Sequence, residues 1–475
     1  MIRRLLVTAP FEKWRRIKGA YLRTEKTRTL LRGSMGMLLL RPSGLIFRFA
    51  ASVLLTRVLG ASGYGVYAYA IVWFGFMVIP ATMGLDHVVL RYVAAYKETK
   101  TWFALRGLLR FSFALGALAG AVAAIAAIII VIVLPGSWSV TRQVMVITFL
   151  IIPIAVVTQV RQSSLRGLDH PTLALLPESI VYPGSLALFV AGTYLLSGGM
   201  VSVPAVALAN VAAWLTAFLV GTYLLWRRLP VEILDARSTF DKQSWMSMVP
   251  PLIFIGGAYH IVSRGEVLVL GYLGTSRDIG LYNVASRVAE LTQYMYEAMT
   301  IVGASLFSAI YASGDREELQ RFTTLCAKTI LWASIPALLV FYFAAPWLLR
   351  VFGPEFVEGI AVLRVLITAF FVSGLSGFVI IMLYMTGHQR DVAVVMGAMA
   401  LSNVGLSFLL IPRFGIMGAA IACGTTVVLL KGILVAVLYR RVGVLSLPIT
   451  IKPAQRPSPV LSTGKRTSTR KNTGD

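Results

Sequence analysis

The 475-residue sequence predicts an all-α polytopic membrane protein of about twelve transmembrane helices in two six-helix lobes, and three observations carry that prediction. The chain is 57% apolar and only 13% charged, about half the charged share of an average soluble protein. Mean hydropathy is +0.78. Charge-free runs long enough for a hydrocarbon core of ~30 Å recur along the chain. One turn motif also appears twice, half a chain apart.

The runs locate the helices. Residues 111–141 form one uncharged stretch between Arg110 and Arg142, enough for one span. Residues 179–226 are uncharged but interrupted at Ser197-Gly198-Gly199, which reads as two spans joined by a tight turn. With the interrupted segments included, helices are expected near 36–58, 64–85, 108–134, 143–164, 172–196, 200–226, 247–272, 279–309, 325–348, 357–385, 392–411 and 416–438.

Basic residues orient the spans. With the N-terminus inside, 33 of the 44 Lys and Arg fall in cytoplasmic segments and five in outer loops: Arg57, Arg142, Arg277, Arg350 and Arg413. This asymmetry predicts a multi-pass membrane protein with both termini cytoplasmic. The net charge of +24 is therefore topological, and no nucleic-acid partner is expected. The organisation reads as a basic cytoplasmic segment (1–35), an N-terminal lobe (36–226), a charged cytoplasmic linker (227–246), a C-terminal lobe (247–440) and a basic disordered tail (441–475). The N-terminal segment is either a positive-inside anchor or a stretch lying on the anionic inner leaflet.

The repeat runs Leu59-Gly60-x-Ser62 with Gly65-x-Tyr67-x-x-Ala70, and again Leu273-Gly274-x-Ser276 with Gly280-x-Tyr282-x-x-Ala285. Both copies fall at an expected outer turn. Parallel repeats of this kind suit a central site and alternating access.

Several chemistries are excluded. Every expected outer loop is short, which leaves no room for an extracytoplasmic sugar-transfer domain, and no carboxylate pair stands at an outer helix end. There is no Walker sequence. Cys326 and Cys423 lie in apolar segments, and the four histidines lack spaced partners, so neither a metal nor any other cofactor is expected. The chain reads as a transporter and not an enzyme.

Charges inside spans then carry the functional signal, because they face a bundle interior or a water-filled cavity. Arg48 falls mid-span in the first helix. In the eighth, Asn283, Arg287, Glu290, Tyr294 and Glu297 share an arc of about 80° at 100° per residue. That stripe either lines a cavity or is an ion-pair seam, with Arg287 bonded to Glu290 at i,i+3. Arg264 shares a face with His260, while Glu266 points the opposite way. Glu178 sits beside Pro177, at a break suited either to a proton site or to a cap. Arg364 and Lys431 lie nearer to span ends. Arginine's planar fork matches phosphate oxygens in pairs, so a cavity with Arg48, Arg264 and Arg287 suits an anionic headgroup.

Further stretches carry a family resemblance: Ala81-Thr82-Met83-Gly84-Leu85-Asp86 with Arg91, Ser164-Leu165-Arg166-Gly167-Leu168, Phe352-Gly353-Pro354-Glu355-Phe356 leading to Arg364, Thr386-Gly387-His388-Gln389-Arg390, and Leu410-Ile411-Pro412-Arg413-Phe414-Gly415. In this order the sequence resembles the Wzx-type lipid-linked oligosaccharide flippases of the multidrug/oligosaccharidyl-lipid/polysaccharide (MOP) superfamily. The resemblance implies a V-shaped, MATE-like bundle with a central cationic cavity. It implies that an undecaprenyl-pyrophosphate-linked oligosaccharide is flipped to the outer leaflet for a surface polysaccharide such as lipopolysaccharide or exopolysaccharide. Partners would then be that lipid-linked substrate, the bilayer and a polymerase or export machinery. Tyr282-Asn283-Val284-Ala285-Ser286-Arg287 is similar to a segment of lipid II flippases, which implies a headgroup contact for Arg287, and Thr56-Arg57-Val58-Leu59-Gly60 is similar to the end of their first helix. The two extra helices of lipid II flippases are missing.

The expected substrate-binding residues are thus Arg48, Arg264 and Arg287 with Arg57 and Arg364. Glu178, Glu290 and Glu297 are expected to couple protons, unless membrane potential alone drives transport, and Asn283 and Tyr294 are expected as polar lining. The rivals are a multidrug cation antiporter, which would want an acidic cavity, a membrane glycan polymerase or ligase, and a scaffold of a glycan assembly system.

Overall fold

The computed structural model describes residues 25–133, 139–235, 237–246, 249–293, 303, 306–308 and 310–449. The first helix, α1 (Glu25–Thr82), continues past the expected turn, with Gly60 at φ 64°, ψ 178°. A straight helix over its apolar part, Pro42–Thr82, would be about 60 Å long, twice the hydrocarbon thickness. It is not straight: Ser52 Oγ lies 3.4 Å from Tyr64 OH, where twelve residues of straight helix would separate them by about 18 Å. The chain reverses at Gly60, making two spans. The last helix, named α17 below, repeats the device.

After a turn at Met83-Gly84 come α2 (Leu85–Glu98) and α3 (Trp102–Val133). The segment expected as a cytoplasmic loop from residue 86 is in fact mostly amphipathic helix, burying Leu85, Val88, Val89 and Val93 at i, i+3, i+4 and i+8. α3 turns Gly116, Gly120, Ala124 and Ala127 inward, so that neighbouring backbones approach, and leaves Leu118, Ile125, Ile129 and Ile132 exposed to lipid. α4 (Val140–Phe149) and α5 (Ile152–Gly167) make one span broken near Pro153. α6 (Pro171–Leu176), a π-turn at Pro177–Val181 and α7 (Tyr182–Leu196) make the next, and α8 (Val203–Trp226) closes the first half.

The linker holds two short helices, α9 (Val231–Asp235) and α10 (Lys242–Met246), and docks on the first half. Thr239 N donates to Phe103 O, Arg110 Nη1 to Ser238 Oγ, and Trp245, 1% exposed, donates from Nε1 to Tyr96 OH.

The second half comprises α11 (Val249–Leu273), α12 (Ser276–Glu290, begun by a Thr275/Asp278 capping box), α13 (Arg316–Phe343), α14 (Ala345–Phe352), α15 (Ile360–Gly374), α16 (Val379–Met385) and α17 (Gln389–Val442). α17 reverses at Gly415, φ 56°, ψ −133°, as shown by Asn403 Nδ2 donating to Thr426 Oγ1 across 3.5 Å although the two lie 23 positions apart. Among the described residues nine helical segments are long and apolar enough to cross a membrane. Two of these are the hairpins α1 and α17, and α12 begins one further expected span, which runs into residues 294–302, outside the described residues. The expected tail is tied down at its start: Leu445 N donates to Gln320 Oε1, and Gln320 Nε2 returns a bond to Leu445 O. Residues 450–475 lie outside the described residues.

The two repeat copies meet. A Cβ at Gly65 would overlap the Ser276 carbonyl, and one at Gly280 would overlap the Ala61 carbonyl, so equivalent glycines let the two turns cross backbone to backbone. Tyr64 OH donates to Asn283 Oδ1 and Ala61 N to Glu355 Oε1 beside this crossing. The halves are therefore sealed at the end carrying these turns.

Candidate functional site

Below the seal, α1, α11 and α12 each contribute an arginine to one place. Arg48, Arg264 and Arg287 line a cavity of about 250 Å³, together with Ser52, Glu290 and Phe352. A second cavity, of about 320 Å³, shares Arg48, Ser52 and Arg287 and extends into the first half toward Tyr67, Glu178, Tyr182 and Trp214. The two cavities form one site because both contain the same two arginines.

The arginines differ in their partners. Arg264 Nη2 pairs with Glu290 Oε1 at 2.7 Å, and its buried Nη1 makes no hydrogen bond. Glu290 thus bridges α12 to α11, and the alternative i,i+3 pair with Arg287 does not form. Arg287 Nε donates to Asn283 Oδ1 at 3.1 Å, the oxygen that also accepts from Tyr64 OH. Among the described residues no carboxylate forms an ion pair with Arg48 or Arg287.

Glu178 reaches the cavity from the π-turn and is ion-paired with Arg161. Arg161, near the inner end of the expected 143–164 helix, is 1% exposed, and its guanidinium lies against Gly221, with Nη1 donating to the carbonyls of Ala217 and Phe218. Three lining arginines against two lining carboxylates leave the site cationic, in a setting where charges are weakly screened.

Two expected arginines are elsewhere. Arg57 donates to the carbonyls of Val351 and Arg350 at the sealed end. Arg364 stacks on Tyr342, 4.9 Å from the ring centroid, and lines a separate groove of about 500 Å³ beside Thr368 and Thr425. Neither is among the residues lining the two central cavities. Asn283 is buried behind Arg287, while Tyr294 and Glu297 lie outside the described residues.

Sequence reasoning missed a buried polar group in the second half. Glu266, 0% exposed, accepts from Tyr282 OH at 2.9 Å, and its Oε2 has no partner. Asn403 Oδ1 and Ser407 Oγ on α17 are also buried without partners. The available signal was a single carboxylate in an apolar helix. Among the described residues no group of three or more His, Cys, Asp or Glu could hold a metal.

Residues 30–307 match the family model described as "Polysaccharide biosynthesis protein". The chain belongs to that family. Among curated proteins no relative matches. Solved structures share the fold of this polysaccharide biosynthesis family member at low identity. An inward-facing multidrug resistance MATE transporter of the MOP superfamily aligns at TM-score 0.71 and 15% identity, covering 84% of this chain and 94% of the other. The lipid II flippase MurJ in an inward closed conformation gives 0.66 and 16%, over 86% and 87%. A Pyrococcus furiosus MOP transporter, whose description reports a binding pocket of reverse polarity, gives 0.57 and 16%, over 89% and 97%. The fold is thus that of MOP-superfamily transporters, a multi-pass membrane architecture.

Proposed function

We propose that the protein is a flippase that carries a polyprenyl-pyrophosphate-linked oligosaccharide from the inner to the outer leaflet of a bacterial cytoplasmic membrane. The glycan serves assembly of a surface polysaccharide, and the mechanism is alternating access. The observation that carries the reading is the meeting of Arg48, Arg264 and Arg287, drawn from both halves, in one cavity among membrane-spanning helices. Paired guanidinium groups fit a pyrophosphate in charge and geometry, and family membership supports polysaccharide assembly as the setting. A cation antiporter is disfavoured because arginines outnumber carboxylates around the cavity.

The test is outer-leaflet exposure of labelled undecaprenyl-pyrophosphate glycan in vesicles. Arg287→Ala is expected to stop it and Arg287→Lys to restore part of it, since lysine keeps the charge without the fork. Unchanged exposure when the protein is absent and no paralogue compensates would sink the reading and bring the antiporter or scaffold forward. Full export after removal of residues 447–475 would discount a tail-based scaffold. Coupling is read from the same assay. A pH-gradient dependence lost in Glu290→Gln makes Glu290 a proton site, and dependence on membrane potential alone leaves Glu178, Glu290 and Glu297 structural.

A further inference from the structure

We infer that the groove holding Arg364 is a binding site for one anionic phospholipid, its phosphate on the guanidinium and an acyl chain in the groove. The site lies apart from the central cavities and does not depend on what those cavities carry. It is formed by α13, α15 and the part of α17 that follows the Gly415 reversal, and it holds about 500 Å³.

The groove has the depth of one leaflet. Arg364 stands four residues into α15, about 6 Å from the start of that helix at the sealed end, which the charge asymmetry places outside. From there the lining follows α15 down to Val372, and α17 from Ile421 to Leu429, about 12 Å along each. Half of a hydrocarbon core of ~30 Å is about 15 Å, so the groove stays within a single leaflet. A phospholipid chain ends at that depth, whereas a long polyprenyl chain overruns it. Small residues make the floor: a Cβ at Gly424 would come within 2.9 Å of Ala369 Cβ, so α15 and α17 touch there. Thr368, Val372, Thr425 and Leu429 on its walls are exposed, and in a bilayer that exposure is to lipid.

Charge selects the occupant. Arg364 Nε donates to Tyr342 O at 3.4 Å while the guanidinium stacks on the Tyr342 ring, which fixes the direction of the fork. Among the described residues Nη1 and Nη2 have no hydrogen-bond acceptor, and no carboxylate lines the groove. Donors of a charged group at membrane depth need an anionic partner. A lipid phosphate supplies two oxygens in the geometry of the fork. The same lining discriminates between phospholipids. The ammonium of a zwitterionic headgroup finds no carboxylate here and meets Arg364 as a like charge, so a lipid of net negative charge is favoured.

The test is photo-crosslinking of the full-length protein in nanodiscs, with phosphatidylglycerol carrying a diazirine near the end of one acyl chain. Modified peptides are mapped by mass spectrometry, and attachment is expected within 365–372 and 421–429. Unlabelled phosphatidylglycerol should displace the probe about fivefold better than phosphatidylethanolamine of the same chains, the return on one basic residue at anionic lipid. Arg364→Gln should bring that ratio close to one. Thr425→Phe, at an exposed position, fills the groove without touching the charge and should cut attachment there severalfold. Size exclusion checks the folding of both variants, and either one carries the test if the other does not fold. Arg287→Ala, in the central cavity, should leave attachment as in wild type. A ratio unmoved by Arg364→Gln, attachment unmoved by Thr425→Phe, or attachment spread evenly over the lipid-facing helices overturns the site. Displacement by undecaprenyl phosphate at lower concentration than by phosphatidylglycerol also overturns it and gives the groove to a polyprenyl lipid.

Discussion

Arg161 illustrates how much a buried charge depends on its surroundings. Its guanidinium is held by Glu178 and two backbone carbonyls, in a space that exists because residue 221 has no side chain. Removing one partner of such a pair strands the other, at about 3–5 kcal/mol, whereas apolar replacement of both is often close to neutral. Arg161→Met is therefore expected to lower thermal stability in detergent sharply, with Arg161→Met/Glu178→Leu recovering most of the loss. Equal Tm for the two variants would contradict the pairing. The same residue shows what one dimension conceals. Arg161 and Glu178 lie 17 positions apart on successive elements, and neither helical periodicity nor a charge census connects them. Arg48, Arg264 and Arg287 were legible because a charge in an apolar helix has few uses. Arg364 carries the same signal, yet it directs a donor to the main-chain carbonyl of Tyr342, and Arg57, expected from the resemblance alone, donates to those of Val351 and Arg350. Which use an intramembrane arginine is put to depends on helix packing, and spacing does not encode that.

Among the elements, the hairpins α1 and α17 set the positions of everything else. Each turns on a glycine whose backbone angles are open essentially to glycine alone, and a Cβ at Gly60 would also meet Glu355 Oε1 at 3.2 Å. Gly60→Ala is expected to cost about 1–3 kcal/mol of strain, seen as a lowered Tm in detergent. No loss would mean that the turn readily takes another form. The α5–α6 corner adds a pH dependence. Burial holds the His170 imidazole below its usual pKa, with Arg228 and Lys97 adding repulsion and Asp169 opposing them. The folded state therefore resists a proton that the unfolded chain accepts near pH 6.5. Stability is full above that pH and falls as pH drops toward the lowered folded value. Tm measured between pH 8 and 5 should decline, and His170→Gln, neutral throughout, should flatten the part of the slope due to this residue. At this scale most helices could be read from uncharged runs and Gly or Pro breaks. α2 could not, because its charges read as a cytoplasmic loop although its apolar residues follow helical spacing.

For the whole molecule, the repeat visible in sequence becomes a contact between the halves. Leu59-Gly60 and Leu273-Gly274 introduce equivalent turns, and Gly65 and Gly280, equivalent in the repeat, cross with no side chain between the backbones. One oxygen links this seal to the cavity, since Asn283 Oδ1 accepts from both Tyr64 OH and Arg287 Nε. The crossing itself has no slack: a methyl group at residue 65 meets backbone, which cannot rotate away as a side chain would. Gly65→Ala is therefore expected to hold this end apart. The measurement uses Ala61→Cys, at a site buried in the closed form, with Cys326 and Cys423 replaced by Ala. An impermeant maleimide should leave the glycine-containing protein largely unlabelled and label the Gly65→Ala variant severalfold faster, with transport lost because the seal no longer forms. Equal labelling would mean that the seal resides in the side-chain contacts of Arg57 and Glu355, and their removal would then have to open it.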